Sequence, residues 1–131
     1  MTSLSIGLLI CELLEKDSGV VALAKRVYPV SSLQDEKLPY IVYTRTTSAN
    51  DSTKNDMRDS VSFFVDCYAD TYAGAVNVAE AARAALEGRG KVYKGTSEKE
   101  LHADYIKLID ASETYADEAY IERLQFAAKV W

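Results

Sequence analysis

The segment from Ser60 to Ala69 constrains this chain more than any other, because it alternates like a strand yet carries large apolar side chains on both faces. Val61, Phe63, Val65 and Cys67 project to one side and Ser62, Phe64, Asp66 and Tyr68 to the other, as strand geometry requires. Phe64 and Tyr68 would leave apolar surface on that second face, so other groups must cover part of it. The strand runs directly into a helix. Asp70 is an N-cap type, Gly88 suits a left-handed stop, and Tyr72, Ala75, Val76, Ala79, Ala82 and Leu86 recur at helical spacing between them. The small alanines let the axis of this helix, predicted through Glu87, lie close to a sheet.

The flanking segments read as a helix pair and further strands. Ile6, Leu9, Ile10, Leu13 and Leu14 form an amphipathic face over Leu4–Glu15, with Ser3 or Ser5 as the cap. Asp17-Ser18-Gly19 interrupts it, and Val20–Lys25 can form a second short helix before Pro29 imposes an extended or turn conformation. Pro39 can open a strand from Tyr40 to about Thr47, rich in aromatic and β-branched residues. Gly88–Lys99 reads as a Gly-rich, basic connector. Two more strands follow, Leu101–Thr114 and Ala119–Trp131, joined near Tyr115-Ala116-Asp117-Glu118. The expected fold is α+β in the order ααββαββ. N-terminal helices precede a mostly antiparallel four-stranded sheet with a helix between the strand pairs and the helices packed on one face. The 131 residues fit one domain, 1–131, large enough to bury a core without staples.

Composition narrows the chemistry. Cys11 and Cys67 sit in apolar stretches and read as reduced, buried thiols of a reducing compartment. The apolar run Ile6–Cys11 is followed at once by Glu12, Glu15, Lys16 and Asp17, which is no targeting signal; the expected location is the cytoplasm. Asn50-Asp51-Ser52 matches a glycosylation acceptor but reads as a polar loop without a secretion signal. A net charge of −5 argues against tight, sequence-independent DNA binding, which depends on displacing counterions with Lys and Arg. An acidic lining would instead let DNA slide past.

No motif calls for a cofactor or a metal. Gly88-Arg89-Gly90-Lys91 lacks the spacing and terminal pair of a phosphate-binding loop. His102, the single histidine, has no ligand partners at zinc spacing, and Asp51, Asn55, Asp56 and Asp59 lack the glycine and terminal glutamate of a calcium loop. Nine tyrosines suit interfaces, because each joins a large apolar area to a hydrogen-bonding end, although Tyr40, Tyr43 and Tyr68 equally suit core or sheet surface.

Several segments together resemble a family of tail-completion proteins of tailed phages and prophages. They are Arg26-Val27-Tyr28-Pro29, Leu38-Pro39-Tyr40-Ile41-Val42-Tyr43, the strand Val61–Ala69, and the helix opening at Asp70-Thr71-Tyr72-Ala73 and closing at Ala84-Ala85-Leu86. The resemblance implies a noncatalytic protein that completes or terminates the tail tube and joins it to the head. It further implies a ring of identical copies, a hexamer by analogy, with the tail-tube protein and head-completion or connector proteins as partners. DNA would pass through the ring, with neither sequence-specific nucleic-acid binding nor a membrane involved. Such a protein would occupy the host cytoplasm during assembly and the virion tail afterwards.

Two polar segments are candidate contact sites. Ser48–Asp59 has almost no large apolar surface to bury, and Asn50, Asp51, Lys54, Asp56, Arg58 and Asp59 offer polarity and charge to a partner. Arg89, Lys91 and Lys94 form a second, basic cluster, for which ordinary solvation is the competing reading. Two other functions compete with the tail reading. One is a small-ligand-binding or enzymatic α+β domain with His102 or Asp104 transferring a proton; the other is a generic interaction module.

Overall fold

A computed structural model describes residues 2–24, 26–31, 37–50, 58–95 and 99–131. A 3-10 turn, Ser3–Ser5, leads into helix α1, Ile6–Lys16, and helix α2, Ser18–Leu23. Strands β1, Arg26–Pro29, β2, Tyr40–Asn50, and β3, Asp59–Ala69, come next, followed by helix α3, Tyr72–Leu86. Strands β4, Gly88–Lys94, β5, Glu100–Ala116, and β6, Ala119–Val130, complete the chain. Among the described residues no helix is long and apolar enough to cross a membrane.

All six strands form one sheet in the order β1-β2-β3-β6-β5-β4, with β1 parallel to β2 and every other pair antiparallel. The sheet curls into a half-barrel. Helix α1 reports the curl directly, since it touches β1 and β2 near one edge and β4 at the other. Helix α3 lies against β3, β6 and β5 in the middle. Register shifts at Arg45/Thr47 in β2, and at Ala103/Tyr105 and Leu108/Asp110 in β5, are the kind of irregularity that bends strands and sharpens twist.

The expected fold class therefore requires correction. The molecule is mostly β, with a six-stranded mixed sheet, where a four-stranded and mostly antiparallel sheet flanked on one face by helices was expected. Two strands escaped the reading. β1 is only four residues long and ends in Pro29, and β4 carries Gly88, Gly90 and three cations, a composition suited to a connector. Each forms because a longer neighbour offers it a backbone ladder.

The core fills the hollow of the curl. Ile41, Val61, Phe63, Val65 and Cys67 meet Leu124, Phe126, Ala128 and Val130 from the sheet, and Leu9, Ile10, Val78, Ala82 and Leu86 close it from the helices. Phe63 and Phe126, register partners on β3 and β6, stack at 5.3 Å between ring centroids. Both cysteines are free. Cys67 is fully buried, but Cys11 is only half-buried, and burial pushes both thiols up from their ordinary range.

The local signals at helix ends shift by a residue or so. Thr71, rather than Asp70, caps α3 by accepting the Gly74 amide, and Asp17 caps α2 by accepting the Val20 amide. Gly88 has a positive φ of 149° but opens β4 instead of ending the helix. On the convex face, Arg123 covers Phe64 with its guanidinium 4.4 Å from the ring centroid and grips Asp66 through two hydrogen bonds of 2.8 and 3.1 Å. Tyr68 stacks on Tyr40 at 4.7 Å, and Tyr28 meets Tyr40 edge-on. This is the cover that the two-sided strand demanded.

Candidate interaction surfaces

Where β2 ends and β3 begins, Asn50 pairs with Asp59 at the base of the polar loop. Ser3, buried despite its position near the N-terminus, donates to Asp59 Oδ2 at 2.6 Å and hydrogen-bonds the Ser48 hydroxyl. Its expected capping role is thus replaced by a clamp on the loop base. On the other side, Arg58 Nη1 donates to Asp104 Oδ2 at 3.0 Å while its guanidinium lies 5.5 Å from the Trp131 ring centroid. Trp131 in turn stacks on His102 at 5.3 Å, and the two residues exchange backbone hydrogen bonds of 2.9 Å. His102 Nε2 is 3.0 Å from Glu100 Oε2. Asn50, Arg58 and Asp59 therefore share one end of the sheet with the starts of β5 and the end of β6. Asp51, Lys54 and Asp56 lie outside the described residues, as does Asn55.

Arg89, Lys91 and Lys94 lie on β4, the edge strand, and not in a connector. Arg89 and Lys91 share one face and Lys94 the other; Lys94 pairs in register with Glu100, close to the loop end, while Arg89 pairs with Tyr105. Arg89 also lines a shallow groove of about 340 Å³ with Glu87, Gly88, Tyr105, Ile106 and Lys107. The cations are strung along an edge, so they make no convergent anion cradle.

A third surface lay outside the sequence reading. At the far end of the β5–β6 hairpin, Tyr115 and Tyr120 are register partners with rings 4.9 Å apart, and Tyr72 at the start of α3 meets Tyr120 edge-on. These rings border a depression of about 180 Å³ that also holds Glu113 and Glu122. The two glutamates sit directly opposite across the ladder, and the Tyr72 hydroxyl donates to Glu113 Oε2 at 2.8 Å. Burial and then the hydrogen bond with Glu113 push the Glu122 carboxyl up to about 7. Hydrogen bonds from Glu122 and Tyr72 hold Glu113 below the usual carboxylate range. The pair thus shares one proton near neutrality. The usable signal was the tyrosine pair flanking Asp117-Glu118, both of which take the positive φ (52° and 63°) of a tight hairpin turn.

The protein is thus a curled single sheet with helices in its hollow and with polar and aromatic groups gathered at its ends and edges. Residues 9–126 match the family described as Tail completion protein gp17, and the chain belongs to that family of structural phage tail proteins. Among solved structures, a chain described as "Virion of native gene transfer agent (GTA) particle" superposes with a TM-score of 0.71 at 19% identity, over 92% of this chain and 90% of that one. A second solved chain superposes with a TM-score of 0.53 at 15% identity, over 95% of each. At such identities the likeness is one of fold. No curated protein matches the chain.

Proposed function

We propose that this protein is a noncatalytic ring component that completes or terminates the phage tail tube and joins it to the head. The observation that carries the reading is the family match, which spans the chain from α1 to β6. The surfaces support it: Asn50, Arg58 and Asp59 frame one end of the sheet, and Arg89, Lys91 and Lys94 mark one edge. Through such polar groups the protein contacts copies of itself, the tail-tube protein and head-completion or connector proteins. A net charge of −5 suits a ring through which DNA passes without being held. The ring assembles in the host cytoplasm and stays in the virion tail; six copies are the number that the resemblance implies.

The competing enzymatic reading relied on His102 or Asp104 as a free proton carrier. Both side chains have structural partners, Trp131 and Glu100 for the first and Arg58 for the second, which favours a structural role. Electron microscopy of assembled tails tests the proposal. The protein is expected as a ring at the head-proximal end, and its loss is expected to leave tails unjoined to heads. Density only at the distal tip would overturn the assignment.

A further inference from the structure

The outer edge of the sheet is stepped. Strand β4 covers β5 only as far as Ile106, whereas β5 continues to Ala116 with β6 as its only strand neighbour among the described residues. Every residue from Ile109 to Ala116 is exposed, including Ile109 and Tyr115. The nearer part of this edge already has local partners, since Glu87 Oε2 accepts the Leu108 amide and Asp110 Oδ1 accepts the Ala111 amide. Beyond it, Ser112–Ala116 offers a backbone edge that no strand among the described residues covers, the usual template for another strand.

We propose that a second copy of this chain docks on this step, its basic edge strand β4 lying along the free end of β5. The inference rests on the self-association in the proposed function and names the surface that performs it. Charge decides the pairing. The free arm, from Ile109 through the hairpin turn at Asp117-Glu118, carries Asp110, Glu113, Asp117 and Glu118 and no cation, while β4 carries Arg89, Lys91 and Lys94 and no acid. Like edges repel, arm against arm or β4 against β4, which guards against indiscriminate edge pairing. Of these three pairings only arm against β4 brings opposite charges together, and β4 brings three cations where the other edge strand, β1, has Arg26 alone. The lengths are compatible, because seven-residue β4 is long enough to span the stretch Ser112–Ala116, and Val92 and Tyr115 are exposed apolar groups that such pairing would cover.

Carbodiimide treatment of concentrated protein and of assembled tails, with peptide mapping, tests the contact because that reagent adds no spacer and so links a carboxylate to an amine only where the two come into direct contact. Links from Asp117 or Glu118 of one copy to Lys91 or Lys94 of another are expected. The double variants Asp110→Lys/Glu118→Lys and Lys91→Glu/Lys94→Glu should each weaken self-association about tenfold or more, and mixing the two should restore it between unlike copies. Melting curves report folding of each variant. Copy-to-copy links that avoid both strands would overturn this contact and leave the ring standing. Links from the arm to the tail-tube protein would overturn it in favour of a different occupant. Tails that carry a single copy of the protein would overturn the contact and the ring together.

Discussion

Glu122 shows how a single side chain takes its chemistry from its neighbours. In the unfolded chain it titrates near the usual glutamate value of about 4.3, whereas in the fold its carboxyl is pushed up to about 7. Between those values the folded chain holds a proton that the unfolded chain has released, so this group's contribution is full at low pH and fades as pH rises through about 7. Glu113, held low, contributes with the opposite sign and loses its effect only as pH falls through its lowered value. Glu122→Gln should therefore flatten the decline across this window and raise the melting temperature by a few degrees at pH 8; an unchanged pH profile would refute the shared proton. Asp66 depends on one partner in the same way. It is buried, and Arg123→Ala would remove both of its charged hydrogen bonds, costing about 2 kcal/mol of stability, measurable by urea unfolding.

At the scale of elements, the clearest contrast is between β3 with α3 and the loop between β2 and β3. Phe63 lies at 0% exposure against Phe126, and truncating it to alanine should cost about 3–5 kcal/mol, as for other buried aromatics. Residues 51–57 carry little apolar surface, and the loop base is clamped independently by Ser3 on one side and Asp104 with Trp131 on the other. Replacing 51–57 with a short Gly-Ser linker should therefore leave the melting temperature near normal while lowering the yield of joined, infectious particles. Normal joining would remove the loop from the contact surface. Strand β4 behaves differently from either. Its residues do not favour a strand strongly, and it exists because β5 supplies the ladder.

For the whole molecule, the net charge of −5 and the stringing of Arg89, Lys91 and Lys94 along one edge, without a convergent basic cluster, predict weak interaction with DNA. At physiological salt the protein should not retard duplex DNA in a gel, and retention that falls steeply with added salt would contradict the acidic-passage reading. The fold rests on a hydrophobic core of side chains from all three helices and most strands. Chelators should accordingly leave the melting curve unchanged, and a loss restored by one particular metal would reject that account.

Local order was legible in the residues themselves. The alternation of β3, the alanine stripe of α3, the helix pair and the β5–β6 hairpin all follow from side-chain period and turn chemistry, which act over a few residues. The segments that resemble tail-completion proteins were legible for the same reason, and the family match agrees with them. Tertiary structure alone decided which strand pairs with which, because ladders are made by backbone groups that every residue carries. It recruited β1 in parallel and β4 at the edge, and it drew α1 against both margins of the sheet. It also brought Arg58 to Asp104, since that meeting depends on long-range register between segments far apart in the chain.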